Sequence, residues 1–326
     1  EYICTMKKII ICICLSVVLG GCSVYRTYKR PDVAVIDSLY RQQISPADSV
    51  ASIADLSWKE LFTDPHLQKL IETGLCNNSD LGIARLRAEE AEALLQSARL
   101  SYLPSISLSP QGTIGKVEHS KTTKSYDLAT SARWEIDIFG KLTNTKREAR
   151  VVLEQSEAYR QAVQTQLIAT IANSYYTLLM LDEQLNISRR TARNWSENLR
   201  VMKALKNAGQ TTDMAVAQTE ASKLSVDASL LSLERQITEL ENTLLSLLGS
   251  VPGDITRSTL SSQSFPDTLL VGVPLQLLQR RPDVRQSEAV LAAAFYVTNQ
   301  ARAAFFPSIT LSGSAGWTNA AGVVIT

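Results

Sequence analysis

The chain has 326 residues, 45% hydrophobic and 20% charged, the balance of a folded protein rather than a disordered one. A formal net charge of +1 leaves no basic excess to attract a nucleic acid. Two histidines, His66 and His119, have no partner at ligand spacing, and no nucleophile motif or phosphate loop occurs, so neither an enzyme nor a metal or other cofactor is expected.

Met6-Lys7-Lys8 is a short basic stretch followed by an apolar run of eleven residues, Ile9 to Leu19, interrupted only by Ser16. A membrane-spanning helix needs about 20, so this run suits the core of a signal peptide, with residues 1–5 as translated upstream sequence. The run ends in Leu19-Gly20-Gly21-Cys22-Ser23, which resembles the lipobox of bacterial lipoproteins. Residues 1–21 then form a leader, and the thiol of Cys22 takes the lipid; the alternative is an ordinary secretory signal with a chance cysteine. Several acyl chains on one cysteine give stable anchoring. Ser23, where an aspartate would signal retention, favours the outer membrane. Without residues 1–21 the net charge is zero, and Cys76 is left with no disulfide partner in the chain.

Residues 22–63 read as the lipid anchor and an extended segment. Asp64-Pro65 supplies an N-cap and a first-turn proline for a short helix to about Cys76. Asn77-Asn78-Ser79-Asp80 breaks it and caps a second helix, which Pro104 stops. Two stretches of period-two alternation follow. Ile106, Leu108, Pro110 and Ile114 alternate with Ser105, Ser107, Ser109 and Thr113. After a polar loop, Tyr126, Leu128, Ala132, Trp134, Ile136 and Ile138 alternate with Asp127, Ser131, Arg133, Glu135 and Asp137. Both runs are strands with one apolar and one polar face, and both are long enough to cross a bilayer at a tilt. A soluble sheet with one face on a core shows the same alternation.

Between Gly140 and Gly209 lie 68 residues with neither glycine nor proline. Leu167, Ile171, Leu178, Leu181 and Leu185 recur on one helical face. A single helix of this length reaches about 100 Å, more than a compact domain holds. A second such run, Gln210 to Leu248, carries the stripes Ala217, Ala221, Leu224, Ala228, Leu231 and Leu230, Leu233, Ile237, Leu240, Leu244, Leu247. These steps of three and four indicate coiled-coil-like packing, the alanines allowing close approach of a neighbouring helix. Glu89, Glu90 and Glu92 read as a solvated helix face rather than a catalytic pair.

The segment Ala98-Arg99-Leu100-Ser101-Tyr102-Leu103-Pro104-Ser105-Ile106-Ser107-Leu108-Ser109 returns at an offset of 203 as Ala301-Arg302-Ala303-Ala304-Phe305-Phe306-Pro307-Ser308-Ile309-Thr310-Leu311-Ser312, with seven of twelve positions identical. The chain is therefore built from two repeats. The first spans 64–250, a connection fills 251–282, and the second begins at 283–326. By this period the second repeat is expected to be C-terminally truncated, lacking about 125 residues. Each unit is a two-layer helical rod with a strand pair at one end. Four strands per complete chain are too few to close a barrel in lipid, so three chains giving twelve are expected.

Asp64-Pro65 with Leu67, Leu70-Ile71, Leu75, Asn78, Asp80-Leu81, Ala84, Arg87 and Ala91 resembles the repeat signature of outer-membrane efflux factors. Trp134 to Lys141 resembles the family's second strand and the start of its long helix. Leu247-Leu248-Gly249 with Pro252, and Gly272-Val273-Pro274 leading to Arg280-Arg281-Pro282-Asp283-Val284, resemble its inter-repeat segment. The chain is similar to the TolC-like, NodT-type lipid-anchored subunits of resistance-nodulation-division pumps. That resemblance implies a mainly α fold with transmembrane β: a homotrimer with a long antiparallel α-helical barrel in the periplasm and a twelve-stranded β-barrel in the outer membrane of a Gram-negative bacterium. It implies a periplasmic adaptor (membrane fusion) protein and an inner-membrane transporter of the resistance-nodulation-division class as partners, with outer-membrane lipid around the barrel. The function implied is a passive efflux conduit for drugs or other small molecules. An outer channel for type I protein secretion and a periplasmic coiled-coil scaffold lipoprotein stay open. Ala208, Gly209, Gln210, Thr211, Thr212 and Asp213 resemble the adaptor-docking tip, though a plain helical turn capped by Thr212 or Asp213 would look alike. Asp127, Ser131, Arg133, Glu135 and Asp137 would line the barrel lumen, or serve cross-strand pairing alone.

Overall fold

The structure, a computed structural model, describes residues 27–30, 57–115, 123–264, 280–318 and 322–325. The leader, Cys22, His119 and Gly272-Val273-Pro274 lie outside the described residues. The fold is mainly helical with one antiparallel sheet. In chain order come α1 (Trp58–Leu61), α2 (Pro65–Asn77), α3 (Ser79–Leu100), β1 (Ser105–Gly115), β2 (Thr123–Ile136), α4 (Lys141–Asn207), α5 (Asp213–Leu247), a 3-10 turn (Leu260–Ser262), α6 (Pro282–Ala303), β3 (Ile309–Thr318) and β4 (Gly322–Ile325). No helix of the described residues is long and apolar enough to cross a membrane. The chain divides into two compact units: residues 1–36, 86–158 and 283–326 form one, and residues 37–85 and 159–282 the other.

The first unit contains the sheet, whose strand order is β1-β2-β3-β4 with antiparallel neighbours throughout. The repeat is visible in the helices that lead into it, since α3 and α6 have equal lengths of 22 residues at the offset seen in the sequence. Their ends close alike: Leu103 N–H donates to Leu100 O (2.9 Å), and Phe306 N–H to Ala303 O (3.1 Å). Asn144 and Asn299, both fully buried, sit on α4 and α6 within 3.5 Å of each other, and Asn144 donates to the Gly140 carbonyl at 2.7 Å.

The second unit holds an apolar core. Leu67 and Ile71 of α2 and Leu81 of α3 meet Leu167, Ile171, Tyr175, Leu178, Leu181 and Leu185 of α4 and Ile237, Leu244 and Leu248 at the end of α5. The α4 stripe read from the sequence is thus a core face. Gly74 of α2 allows a close approach: a Cβ there would stand 2.5 Å from Ile171 Cδ1 and would force that side chain to move. Asn78, between α2 and α3, accepts from Leu81 N–H at 2.9 Å and donates to Leu247 O at 2.9 Å, so the cap foreseen in the sequence also ties two helices to a third. In α5 the two stripes part company. Ile237 and Leu244 are buried, but Ala217, Ala221, Leu224, Ala228 and Leu231 all face out, so the alanine stripe does not pack on α4 as a paired helix would. Val216 and Thr219 are the buried positions in that half.

Polar groups lock this core. Asp64 Oδ1 caps α2 by accepting from His66 N–H (2.9 Å), and its Oδ2 accepts from Tyr175 Oη (2.6 Å) and Gln263 Nε2 (2.9 Å). Tyr175 Oη in turn accepts from Ser258 N–H at 3.1 Å. Burial pushes the Tyr175 hydroxyl up to about 12, reinforced by its bond to the Asp64 carboxylate. Burial alone would raise Asp64, but the donors around it outweigh burial and hold it below its ordinary value of 3.8. Arg257 grips Asp182 with Nε (2.5 Å) and Nη2 (2.9 Å) and also pairs with Glu241. Because the folded pKa of Asp64 is depressed, its stabilisation is full above the ordinary aspartate range and is lost as pH falls through the folded value. Asp64→Asn should therefore flatten the acid limb of thermal stability below about pH 4, measured by circular dichroism, at a cost of about 1–3 kcal/mol at neutral pH. An unchanged acid limb in the variant would assign the acid sensitivity to another carboxylate.

Candidate functional site

The sheet sorts its side chains by register. In β1 and β2, Ile106 stands beside Ala132, Leu108 beside Thr130, and Pro110 beside Leu128; in β2 and β3, Leu128 stands beside Trp317 and Trp134 beside Leu311. All these residues share one face. Its large members Ile106, Leu108, Leu128, Trp134, Leu311 and Trp317 are exposed. The other face carries Ser107 opposite Ser131, Gln111 opposite Asp127, and Arg133 between Ser105 and Ser312. Ser107 Oγ and Ser131 Oγ share a 2.7 Å hydrogen bond. A sheet in water turns its apolar face inward, but here no described element covers it.

The repeat adds a slide. Ile106 stands level, through Ala132, with Gly313 and not with its repeat counterpart Ile309, a displacement of four residues over two strands. A slide between equivalent strands is the kind of shear that a closing, tilted sheet requires.

Of the residues expected along the polar face, Asp127, Ser131, Arg133 and Glu135 belong to β2. Glu135 pairs with Lys141 at 3.0 Å. Asp137 is a correction. β2 ends at Ile136, and the Asp137 carboxylate instead accepts from Leu142 N–H (3.0 Å), Thr143 N–H (2.8 Å) and Thr143 Oγ1 (2.6 Å). The unpaired amides at the start of α4, with the positive end of its dipole, make a better partner for that carboxylate than water does. Gly140, at φ 67°, makes the corner between strand and helix.

Ala208 to Asp213 lie together in one turn between α4 and α5. Gln210 N–H donates to Leu205 O and Gly209 N–H to Lys206 O, both at 2.9 Å, the double bond of a Schellman motif with Gly209 at φ 72°. Thr212 caps α5 by accepting from Ala215 N–H (3.3 Å), and Lys206 pairs with Asp213 across the turn. All six residues except the half-buried Thr211 are exposed, as is Met214 beside them. The sequence reading missed the Arg257–Asp182–Glu241 cluster, because Arg257 stands in a stretch that reads only as a linker.

The sequence profile of the family described as Outer membrane efflux protein matches residues 70–250 and 273–322, well over half of the chain. The chain belongs to the outer membrane efflux protein family. TtgC of Pseudomonas putida, a probable efflux pump outer membrane protein, is 30% identical over 311 residues, covering 92% of this chain and 64% of its own. SilC of Salmonella typhimurium, a probable outer membrane lipoprotein, is 32% identical over 303 residues, covering 90% of this chain and 65% of its own. This efflux-family chain thus spans less than two thirds of the length of these relatives. The outer-membrane channel OprN superposes with a TM-score of 0.78 at 27% identity, over 94% of this chain and 72% of that one. The open-state MtrE outer membrane channel of Neisseria gonorrhoeae does so with 0.77 at 28% identity, over 94% and 71%.

A side chain at Gly209 has open space but an unfavourable backbone, so only the φ penalty of about 1–2 kcal/mol applies. Gly209→Val should speed amide exchange at residues 208–213 by about tenfold and leave the core of the second unit protected; equal protection in the turn would show that the left-handed conformation is not held in solution.

Proposed function

We propose that the protein is the outer-membrane channel subunit of a tripartite efflux pump, a passive conduit that carries small molecules past the periplasm and outer membrane. The observation that carries this reading is the two-faced sheet. Its exposed apolar face, Ile106, Leu108, Leu128, Trp134, Leu311 and Trp317, suits hydrocarbon, and its serine-rich opposite face suits a water-filled lumen. Backbone groups on an open sheet edge are not tolerated in lipid, and four strands cannot close. Strands from other chains are needed, and three copies give an even-numbered barrel of ordinary size. The outward alanine stripe of α5 is a face that a neighbouring helix of such a trimer can approach closely.

Asp127, Ser131, Arg133 and Glu135 then line the lumen, while Asp137 sits at the start of α4 beneath it. Cys22 is the lipid attachment site. The exposed turn Ala208 to Asp213 with Met214 is the periplasmic tip that meets the adaptor, which links it to a proton-driven inner-membrane transporter. The conduit does no covalent chemistry; energy and cargo selection belong to the transporter.

The full-length protein should form heat-modifiable trimers and conduct ions in a planar bilayer. Leu108→Arg should destabilise the embedded form by about 2–4 kcal/mol, whereas Ser107→Arg, its neighbour on the other face, should leave trimers intact and change ion selectivity. Equal tolerance of both, or absent conductance, would favour a periplasmic scaffold lipoprotein. Met214→Lys should weaken crosslinking of the tip to the adaptor without loss of trimer; undiminished crosslinking would move the adaptor contact elsewhere.

A further inference from the structure

The repeated segment Ala-Arg-x-x-x-x-Pro-Ser-Ile does more than connect a helix to a strand. It places Arg99 in the last turn of α3 and Arg302 in the last turn of α6. Both are exposed, and neither forms an ion pair with another described residue. The two copies share their turns: Tyr102 N–H donates to Arg99 O (3.4 Å) and Phe305 N–H to Arg302 O (3.2 Å). Within each turn one ring is tied back. Tyr102 Oη donates to Thr143 Oγ1 at 3.0 Å, and Phe306 stacks on Phe139 at 4.8 Å. The other apolar side chain is left outside, Leu103 at 60% exposure and Phe305 at 91%. Trp134 on the apolar face of the sheet donates its indole N–H to Tyr102 O at 2.9 Å, and Lys146 stands 5.5 Å above the Tyr102 ring. The apolar sheet face is thus joined through Trp134 to the turn that carries exposed Leu103, and exposed Phe305 occupies the corresponding turn of the second copy, each turn following directly on its arginine.

We infer that Arg99 and Arg302, with Leu103 and Phe305, form a collar that binds anionic phospholipid of the periplasmic leaflet, the arginines pairing with headgroup phosphates and the apolar pair entering the acyl boundary. This rests on the lipid-facing assignment of the sheet. In a barrel with repeat symmetry about its axis, the four-residue slide between β1 and β3 brings Arg99 and Arg302 to one depth. Trp and Tyr mark the same level, as expected at a bilayer interface. The collar lies on the side where the helices leave the sheet, so its lipid is phospholipid rather than the glycolipid of the opposite leaflet. Arginine presents a planar fork to phosphate, and apolar side chains beside it hold the headgroup region close.

The test is native mass spectrometry and vesicle binding of the full-length protein with phosphatidylglycerol and, separately, phosphatidylcholine. A cation near an anionic surface contributes enough that Arg99→Gln or Arg302→Gln should each lower phosphatidylglycerol affinity about fivefold, and the pair about 25-fold, with phosphatidylcholine unchanged. Arg99→Lys with Arg302→Lys should keep most of the preference, and Arg193→Gln on exposed α4 surface should keep all of it. Phe305→Ser should weaken both lipids alike. Equal affinity of the wild type for the two lipids, or an unchanged preference in the double glutamine variant, overturns the collar while leaving an embedded, conducting trimer untouched. A wild type that enters neither kind of vesicle overturns the channel reading and the collar with it.

Discussion

An antiparallel sheet with two open edges and a bare apolar face is the constraint on which the rest depends. Every backbone N–H and C=O must find a partner, and the outer edges of β1 and β4 offer theirs to nothing among the described residues. In water such a sheet pairs with whatever strand it meets and covers its apolar side. In lipid only closure satisfies both needs. The slide that sets Ile106 level with Gly313 shows that the strands are already sheared as closure demands. The helices follow from the same geometry. α3 and α6 enter β1 and β3 at one end of the sheet, and antiparallel pairing returns β2 to that end, where Asp137 and Gly140 turn it into α4.

The second unit solves a different problem. Its apolar core is a thin layer along α4, with α2, α3 and α5 laid on it, and smooth helical surfaces of this kind can slip by a turn at small cost. Polar anchors remove that freedom. Removing one partner of a buried ion pair costs about 3–5 kcal/mol, because the other charge is left uncompensated. Arg257, in part-buried pairs where that cost is smaller, ties down two helices at once, through Asp182 on α4 and Glu241 on α5. A hydrogen bond from Tyr175 to Asp64 joins the start of α2 to the middle of α4, with Ser258 and Gln263 drawn in. Such contacts tie α2, α4 and α5 together at particular residues.

Much of this was legible in the sequence. Helix starts at Asp64-Pro65 and Asn78, the stop at Gly209, and the period-two runs are local features, decided by one cap, one positive φ or one alternation. What was not legible depended on which neighbour was present. Asp137 continues the alternation of β2, and nothing in its pattern says that α4's free amides will claim it first. Likewise the two stripes of α5 look equivalent, yet Leu230 to Leu247 meets the core while the stripe Ala217 to Leu231 is exposed. Arg257 was invisible because a long-range ion pair leaves no periodic trace. Its partners stand 75 and 16 residues away.

The repeat itself shows how local and tertiary demands divide the same twelve positions. Pro104-Ser105-Ile106 and Pro307-Ser308-Ile309 agree because each must stop a helix and begin a two-faced strand, whatever lies nearby. Residues 100–103 and 303–306 differ throughout, and their surroundings differ in step. Leu100 is exposed where Ala303 is buried. Tyr102 reaches Thr143 by a hydroxyl that Phe305 lacks, and Phe306 stacks on Phe139 where Leu103 turns outward. One copy therefore ties down its first ring and frees its second apolar side chain, and the other does the reverse. Both copies present an arginine and exposed apolar side chains ahead of the strand, Leu100 and Leu103 in the first and Phe305 and Phe306 in the second. Packing differs between the copies, while an arginine beside exposed apolar side chains is common to both.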